Sequence, residues 1–338
     1  MDQMDEFISL DHGAGGIKSS EIIEKVFMKR FGMESPLTDS AILPENARYL
    51  AFTTDSYVVD PIFFPGGDIG KLAVCGTVND LSVSGAIPRF LSASFIIEEG
   101  FPIIELERIA DSMACEATGA GIRIVTGDTK VVEKGTCDKL FINTSGIGEV
   151  EQKHTGIASG RTVRPGDRLI VNGNLGDHAV AILGARNQLG FSTRIISDCA
   201  CLNHLVRSIL GIGTGVRFMR DLTRGGLAST LHELVKITGL EVNLLEECIP
   251  VDEAVRGLCE IMGFDPLYMA NEGKLLMVVS PEESGKVMEI MRADPLGGNC
   301  RDIGEIGSEA GNKVIMTTIP GGKRYLERLD RIQLPRIC

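Results

Sequence analysis

The amino-acid sequence predicts a protein of the α/β (α+β) class, with two domains and a C-terminal tail. Apolar strand-like runs alternate with amphipathic helical stretches through both halves of the 338 residues. A hydrophobic share of 43% in a chain of this length suffices for two ordinary cores. The 40 glycines follow no collagen-like period, which indicates many tight turns. We therefore predict domains over 1–150 and 151–319 and a mobile, flexible tail over 320–338.

The first predicted domain is built from helices and strands that follow one another closely. Apolar residues at helical spacing follow a glycine-rich loop at 11–16, and Pro102 is a favourable first residue for a later helix. Short apolar runs bounded by turn residues indicate strands. The predicted elements are helices over 17–31, 68–85 and 102–118 and strands over 49–53, 122–125 and 139–145.

The second predicted domain begins after a polar, irregular stretch at 151–160. A turn at 164–167 introduces its first strand. The predicted elements are strands over 168–172 and 274–279, a helix that follows the loop at 173–178 and ends near Gly190, and a helix over 227–237. A strand that leads into a Gly-Asp junction occurs in both halves, so we expect two domains of similar build. The strand order stays open.

Composition and charge argue against several classes of function. The net charge is −12 and no Lys/Arg-rich run is present, which argues against a nucleic-acid partner. The N-terminus lacks the features of a signal peptide, and no apolar run approaches the ~20 residues that cross a bilayer. We expect a soluble, cytoplasmic protein that binds neither nucleic acid nor membrane.

The nine cysteines do not suggest a disulfide framework, because their number is odd and no C-x-x-C pair occurs. Cys199 and Cys201 are two residues apart, which is weak evidence for a metal. Most of the cysteines in apolar stretches are predicted to be small buried side chains. These are Cys75, Cys115, Cys248 and Cys259.

Cys338, the last residue of the sequence, is the cysteine expected to react. The segment before it, 320–334, is mostly charged and contains two consecutive glycines. Fifteen extended residues span about 50 Å, and Pro335 keeps Leu334 extended. The pattern predicts a thiol on a swinging arm, and the alternative is a frayed chain end that happens to finish in cysteine.

The glycine-rich loop at 11–16 is a candidate phosphate-binding loop. A loop of this kind before a helix can present several backbone N–H groups to a phosphate. It lacks the Lys-Ser/Thr end of a Walker A loop and does not match G-x-G-x-x-G, so a flexible turn is the alternative. The candidate contacts are His12, Gly13, Gly15 and Gly16.

Aspartates in separate segments of the first half are candidate ligands for Mg²⁺, which prefers oxygen and is usually shared with substrate phosphates. Asp55, Asp80 and Asp128 lie beside glycine loops or after apolar runs, and Asp39 is a weaker fourth candidate. Each of them has the alternative role of capping a helix or turn.

Further charged or polar residues have both a chemical and a structural interpretation. Lys130 either contacts phosphate or the reacting group, or is a solvated surface lysine. Glu272 is either a base or a turn residue. His12 and His178 are more consistent with a structural or phosphate-adjacent role than with metal ligands, and Arg224 either contacts an anion or pairs with Asp221.

Taken together, the motifs resemble the HypE family of hydrogenase maturation factors, within the PurM-like (AIR synthetase-like) ATP enzymes. The glycine and Asp motifs are shared across the PurM-like enzymes, whereas the closing Pro-Arg-Ile-Cys singles out the HypE family. The motifs cover the chain in the expected order: DHGAGG at 11–16, FPGG at 64–67, GTVND at 76–80, GDTK at 127–130, GDH at 176–178, TRGG at 223–226, ANEGK at 270–274 and PRIC at 335–338.

The resemblance implies a two-domain PurM-like fold that forms a homodimer through the sheet of its first domain. It implies that Cys338 receives a carbamoyl group from the carbamoyltransferase HypF. ATP and Mg²⁺ would then serve the dehydration of this S-carboxamide to an S-cyanate. The cyano group would pass to iron on the HypC–HypD complex and become a ligand of the [NiFe]-hydrogenase centre.

The resemblance also implies roles for single residues. Glu272 would be the base, and Lys130 would position or polarise the thiocarbamate on Cys338. The expected nucleotide contacts are His12, Gly13, Gly15, Gly16, Asp55, Asn79, Asp80, Gly127 and Asp128. The expected metal ligands are Asp39, Asp55, Asp80 and Asp128.

Two alternatives stay open. Selenophosphate synthetase is a related PurM-like enzyme, but it carries its reactive cysteine near the N-terminal glycine loop, and no cysteine precedes Cys75 here. The other alternative is a non-enzymatic maturation scaffold that docks through its tail. Replacing Cys338 by Ala distinguishes the two kinds of protein, because only a scaffold would still support maturation.

Overall fold

The structure, a computed structural model, describes residues 11, 16–28, 38–45, 48–186, 194–211, 213, 215–329 and 334–338. Three predicted phosphate contacts, His12, Gly13 and Gly15, lie outside the described residues. The described part contains two mixed sheets with helices packed on them, which confirms the predicted α/β (α+β) class. Among the described residues, no helix combines the length and the apolar character that a membrane span needs.

The first domain is built on a five-stranded sheet with the order β1-β2-β7-β5-β6. Only β5 and β6 pair in parallel, and the other neighbours are antiparallel. A small separate hairpin is formed by β3 and β4. The strands are β1 (Ala41–Glu45), β2 (Arg48–Tyr57), β3 (Phe63–Phe64), β4 (Gly67–Asp68), β5 (Ala86–Glu98), β6 (Arg123–Val132) and β7 (Leu140–Val150).

Three strands are longer than their patterns predicted, and two of these carry candidate aspartates. The strand expected over 49–53 continues to Tyr57, and the strand expected over 122–125 continues to Val132. Asp55 and Asp128 therefore lie within strands, and the expectation that they follow strands in loops was wrong.

One face of this sheet is covered by two helices. In chain order the helices of the first domain are α1 (Ile17–Ile22), which continues as a π-helical turn over Ile23–Met28, α2 (Ile69–Val83) and α3 (Ile103–Ala120). Asp68 caps α2, since its carboxylate accepts hydrogen bonds from the backbone N–H groups of Gly70 and Lys71 at 2.7 and 3.1 Å. Almost every residue of α2 is buried, so this helix forms the centre of the domain.

The other face of the sheet carries exposed apolar side chains. Phe52, Ile147 and Phe90 are opposite one another on three adjacent strands, and all three are exposed. Leu43 on β1 and Ile96 on β5 are exposed on the same face. A cluster of exposed large apolar side chains on one sheet face is typical of a protein–protein interface.

The second domain is built on a seven-stranded sheet with the order β14-β13-β10-β12-β8-β11-β9. The strands are β8 (Arg168–Val171), β9 (Val216–Asp221), β10 (Leu240–Leu245), β11 (Leu275–Val279), β12 (Arg301–Ala310), β13 (Val314–Thr317) and β14 (Lys323–Tyr325). The helices are α4 (Asp177–Ala185), α5 (Asn203–Leu210), α6 (Gly226–Thr238), α7 (Glu253–Met262) and α8 (Pro281–Ala293). Single 3₁₀ turns lie at Gln152–His154, Glu246–Cys248 and Pro266–Tyr268.

Strand β11 shows why this sheet has a core on each face. All five of its residues are buried. Leu276 and Val278 belong to one apolar cluster, and Leu275, Met277 and Val279 belong to another. Successive side chains of a strand point to opposite faces, so a continuous apolar run is what a doubly covered strand requires.

The end of the chain takes part in both domains. Strand β14 pairs with β13, so the second sheet extends into the segment that was predicted as a tail from residue 320. Farther on, the backbone N–H groups of Val58 and Asp60 donate to the carbonyls of Cys338 and Arg336 at 3.1 and 3.2 Å. These two bonds run antiparallel, so the last residues lie along the chain just after β2.

Candidate active site

The loop that carries Glu272 is held by its neighbour Asn271. The Asn271 amide donates to the carbonyls of Leu222 and Met269, both at 3.0 Å. Its side-chain oxygen accepts from the backbone N–H of Gly176 at 2.8 Å. This buried amide therefore joins the end of β9, the start of α4 and the Glu272 loop.

A second clamp comes from Asp198. Its carboxylate accepts from the backbone N–H groups of Glu272 and Gly273 at 3.1 and 3.2 Å and lies 3.2 Å from the Lys274 ammonium. A Cβ on Gly273 would lie 2.0 Å from the Asp198 carbonyl oxygen, so only glycine fits there. The position of Glu272 is thus set by contacts that the sequence pattern alone did not indicate.

The Glu272 side chain is 3% exposed, and its Oε1 has no hydrogen-bond partner. Burial raises the pKa of this carboxyl well above its usual range, and the charges of Asp221, Asp198 and Asp55 act in the same direction. Arg224 opposes the shift. An unpaired buried carboxyl of this kind is suited to exchange a proton with a bound group.

The Cys338 thiol lies beside Glu272 and Arg224. Burial raises its pKa to about 12, Arg224 lowers it, and the charges of Glu272, Asp55 and Asp221 raise it further. Conversely, Cys338 is the largest cause of the raised pKa of Arg224. The thiol is therefore protonated while it occupies this position.

Side chains of both domains hold the last residues in place. The ring of His178 contacts the Ile337 carbonyl through Nε2 at 2.8 Å, and Arg186 donates to the carbonyls of Pro335 and Arg336, both at 2.7 Å. Arg336 donates to the Val58 carbonyl at 2.9 Å and is ion-paired with Asp138. The predicted structural role of His178 agrees with these contacts.

Three aspartates from distant parts of the chain form a compact group. Asp39, Asp80 and Asp221 each offer one oxygen, and these oxygens lie within 4.8 Å of one another. Burial raises the pKa of Asp39 to about 6 and raises those of Asp80 and Asp221 well above their usual range, and the carboxylates repel one another. Asp55 lies close enough for its charge to act on all three.

This group fits the predicted Mg²⁺. All its donors are carboxylate oxygens, the ligand type that Mg²⁺ prefers. Arg220 lies 2.9 Å from Asp39 and 2.7 Å from Glu233, so the group is only partly neutralised by the protein. Sequence reasoning included Asp39 and Asp80 but missed Asp221, which it treated only as a partner of Arg224.

Asn79 is tied into the protein rather than pointing into an open site. Its amide donates to the carbonyls of Ala200 and Glu272 at 3.0 and 3.2 Å, and its oxygen accepts from the Leu202 N–H at 2.7 Å. It thereby links α2 to the Glu272 loop. A nucleotide contact for Asn79 stays a prediction.

Asp128 and Lys130 lie apart from the aspartate group of the same chain. Both are exposed on the edge strand β6, where the Lys130 ammonium contacts the two Asp128 oxygens at 2.6 and 2.8 Å. Three interstrand spacings separate their part of β6 from Tyr57 at the end of β2, or about 14 Å. A Cβ on Gly127 would lie 2.0 Å from the Ala93 carbonyl oxygen, so this glycine allows β5 and β6 to pair.

Gly16, the described end of the first glycine-rich loop, packs against the second domain. The next residue, Ile17, donates from its N–H to the Leu329 carbonyl at 3.1 Å, and a Cβ on Gly16 would lie 2.4 Å from that oxygen. Leu329 also lies near Gly225, which precedes α6. Gly16 and Gly225 therefore both pack near Leu329.

Comparison with known proteins places the chain in a family. Residues 37–150 match the AIR synthase related protein N-terminal domain, and residues 164–317 match the corresponding C-terminal domain. The carbamoyl dehydratase HypE of Rhodobacter capsulatus is 50% identical over 99% of this chain and 99% of its own length. That of Escherichia coli K12 is 45% identical over 98% of this chain and 99% of its own length.

Solved structures agree with this assignment. HypE in a HypE–HypF complex superposes with a TM-score of 0.86 at 45% identity, covering 91% of this chain and 99% of that one. HypE in complex with ATP gives a TM-score of 0.82 at 44% identity, covering 98% and 100%. A thiamine monophosphate kinase from Aquifex aeolicus, 20% identical with a TM-score of 0.64 over 89% and 97%, shares the fold. The chain therefore belongs to the HypE family of carbamoyl dehydratases, within the AIR synthase related, PurM-like enzymes.

Proposed function

We propose that this protein uses ATP to dehydrate an S-carboxamide on its own Cys338 to an S-cyanate, which supplies the cyanide ligand of a [NiFe]-hydrogenase iron. The observation that carries the proposal is the docking of the half-buried Cys338 against the chain after β2, where the charges of Arg224 and of the unpaired Glu272 carboxyl act on its thiol. ATP use is supported by the ATP complex of a HypE that is 44% identical to this chain.

The chemistry needs a phosphoryl transfer, because a carboxamide oxygen is a poor leaving group. The oxygen takes the γ-phosphoryl group of ATP and releases ADP, while one N–H proton leaves. The C–O bond then breaks, phosphate departs with the electron pair, and the second N–H proton is removed as the C–N triple bond forms. The sum is S-carboxamide and ATP giving S-cyanate, ADP, phosphate and one proton.

Glu272 is the group proposed to take a proton from the carboxamide nitrogen. Its raised pKa makes it a strong enough base once it is ionised, and Arg224 favours that ionisation. Since its charge acts on both Cys338 and Glu272, Arg224 would also stabilise the negative charge that develops on the leaving oxygen. Mg²⁺ would be held by Asp39, Asp80 and Asp221, with Asp55 close by, and would neutralise the charge of the triphosphate.

The proposal includes movement of the tail. The docked Cys338 thiol is half-buried and its pKa is raised, so it is protonated and a poor nucleophile toward a carbamoyl donor. Carbamoylation by HypF would take place with the tail undocked, and the HypE–HypF complex solved for a relative supports this partner. The HypC–HypD complex would receive the cyano group, in the cytoplasm.

A homodimer is proposed through the exposed apolar face of the first sheet. The row Phe52, Ile147 and Phe90 gives this face a continuous apolar surface. Edge strand β6, with Lys130, borders it. Since Lys130 is about 14 Å from the end of β2 in its own chain, we propose that it serves the site of the second copy.

Replacing Cys338 by Ser tests the proposal against a scaffold that only docks through its tail. The variant keeps the length and shape of the tail, so partner binding and ATP binding should persist. Hydrogenase maturation in cells that depend on this protein should be lost. Maturation at the wild-type level would favour the scaffold. A selenophosphate synthetase would show selenide-dependent ATP consumption, which we expect to be absent.

A further inference from the structure

A group of thiols lies next to the active-site loop but is not used in the proposed reaction. Cys75 Sγ lies 3.5 Å from Cys201 Sγ and 3.8 Å from Glu116 Oε2. One ligand atom from each of these three side chains lies within 4.8 Å of the others. Cys199 packs in the same apolar cluster as Cys75, and its thiol is one of the causes of the raised pKa of Cys75. Sequence reasoning treated Cys75 as a small buried side chain and read only the spacing of Cys199 and Cys201 as weak evidence for a metal.

We propose that Cys75, Cys201 and Glu116 form a binding site for a thiophilic divalent cation, Zn²⁺ in the first place. Two sulfurs and one carboxylate supply three of the four ligands of a tetrahedral zinc site, and the neighbouring Cys199 thiol or a water would take the fourth position. Sulfurs at the corners of a tetrahedron around Zn²⁺ are about 3.8 Å apart, given Zn–S bonds of about 2.3 Å. The separations at Cys75 are close to that value before any ion is bound.

The surroundings suit a cation better than a disulfide. A bond between Cys75 and Cys201 would leave the Cys199 thiol and the Glu116 carboxylate beside it with no role. Cys75 is fully buried, and the adjacent thiols raise its pKa, so in the absence of an ion the thiol stays protonated. A bound Zn²⁺ reverses this preference and releases protons. Lys71, 3.5 Å from Glu116, offsets part of the negative charge of the ligand set.

The position of the site links it to the active-site loop. Cys75 lies in α2 and Glu116 in α3, whereas Cys199 and Cys201 lie in the segment 194–202 of the second half. One turn after Cys75, Asn79 bonds the Ala200 carbonyl and the Leu202 N–H. Asp198, in the same segment, holds the backbone of Glu272. An ion here would therefore tie the two domains together beside the catalytic carboxyl.

The test is a metal titration of the full-length protein after chelator treatment under reducing conditions. We expect one equivalent of Zn²⁺ to bind and raise the melting temperature. Co²⁺ should give tetrahedral ligand-field bands and a near-ultraviolet thiolate charge-transfer band. Cys201→Ala should lower the affinity by at least about tenfold and weaken the charge-transfer band, and Glu116→Gln should lower the affinity with the band retained. Cys137 lies outside the group, so Cys137→Ala should change neither the metal affinity nor the charge-transfer band.

Two results would overturn the proposal. One is the lack of saturable binding by the reduced, folded protein, or binding that Cys201→Ala leaves unchanged. The other is a Cys75–Cys201 disulfide in protein isolated without added oxidant, detected as an intact mass two hydrogens lighter that a reductant restores. Circular dichroism of each variant shows whether it is folded. If Cys201→Ala does not fold, Cys201→Ser provides a second, polar replacement of similar size.

Discussion

His178 Nε2 lies 2.8 Å from the backbone carbonyl oxygen of Ile337, the residue before the reactive cysteine. Because a carbonyl only accepts, Nε2 carries the proton and Nδ1 is left to accept from the Ser197 hydroxyl at 2.8 Å. Phe64 packs its ring edge-to-face on the same imidazole at 5.6 Å. The FPGG and GDH motifs thus meet at the backbone of the tail, although 111 residues of sequence separate Gly67 from His178.

We expect that weakening the hydrogen bonds between Arg186 and the tail exposes the Cys338 thiol. Arg186→Met removes two hydrogen bonds to the tail. If this lowers the free energy of docking by about 1.4 kcal/mol, the undocked population increases about tenfold. Alkylation of Cys338, followed by peptide mass spectrometry, should accelerate by about that factor. Arg89→Met, which removes an exposed ion pair with Glu149, is the control. An equal rate in both variants would mean that Arg186 does not restrain the tail.

Glu272→Gln should separate binding from chemistry. The amide keeps the shape of the side chain, so ATP binding and carbamoylation of Cys338 should persist. Formation of the S-cyanate should fall by about 10²–10⁴-fold, as for the loss of a general base. In the wild-type protein the rate should rise with pH as Glu272 ionises, and the variant should lose that dependence. Glu282→Gln, on the exposed first turn of α8, should behave like wild type, and dehydration by Glu272→Gln at the wild-type rate would remove Glu272 from the mechanism.

The buried aspartates predict an unusual dependence of stability on pH. Their pKa values are raised in the folded state, so the folded protein retains protons that the unfolded chain releases. Their contribution to stability is fully present below the unfolded pKa of 3.8 and is lost as the pH rises through the folded pKa, which is about 6 for Asp39 and is raised well above 3.8 for Asp80 and Asp221.

In the wild type, the Thr53 hydroxyl donates a hydrogen bond to the Asp80 carboxylate at 2.8 Å. Asp80→Asn removes one of these charges and keeps an oxygen that can accept this bond. At pH 8 without Mg²⁺ the variant should melt a few degrees higher than wild type, with a smaller difference at pH 5. Mg²⁺ should stabilise only the wild type. Thermal melts at both pH values measure this, with Asp111→Asn on the exposed face of α3 as control. Equal stabilisation of the variant by Mg²⁺ would exclude Asp80 as a ligand.

Mixed dimers test whether Lys130 acts across the interface. A Lys130→Ala chain keeps Cys338, and a Cys338→Ala chain keeps Lys130. If Lys130 serves the second copy, mixing the two should restore S-cyanate formation on the Lys130→Ala chain to about half of the wild-type level. If S-cyanate formation is not restored in a dimer shown to be mixed, Lys130 serves the site of its own chain or takes no part in the reaction.

Two glycines predict opposite responses to alanine. A Cβ on Gly76 would lie 2.2 Å from the Tyr57 hydroxyl oxygen, so Gly76→Ala must displace a fully buried ring and should destabilise the protein by about 1–3 kcal/mol. Gly285, exposed in α8, has no atom within 4 Å of its Cβ position. Gly285→Ala should stabilise the protein by up to about 1 kcal/mol. Chemical denaturation of both variants measures this, and equal effects would contradict the packing of α2 on Tyr57.

Helices and strands with a regular pattern could be predicted closely. Helix α3 begins one residue after Pro102, and α2 spans nearly the predicted range. Strand β5, which lies between β6 and β7, was missed because Pro88, Arg89, Ser92 and Ser94 interrupt its apolar residues. The prediction of buried cysteines held for Cys75 and Cys259, but Cys248 is only partly buried and Cys115 is exposed, because it lies on the solvent side of α3.

The candidate site was only partly predictable, since it depends on contacts between distant residues. Asp39, Asp80 and Asp221 come from three separate segments, and nothing in local spacing links Asp221 to the other two. The same holds for Asp198, which positions Glu272 through backbone bonds. The tail was expected to be mobile with an open resting position, whereas its last five residues are docked in the structure.

The most direct test of the proposed function is the intact mass of the protein through one reaction cycle. HypF, carbamoyl phosphate and ATP should first add one carbamoyl group, located on Cys338 by peptide mapping. After HypF is removed, ATP and Mg²⁺ alone should then reduce the mass of the protein by one water as the S-cyanate forms. Turnover of ATP with the carbamoyl group unchanged on Cys338 would contradict the mechanism.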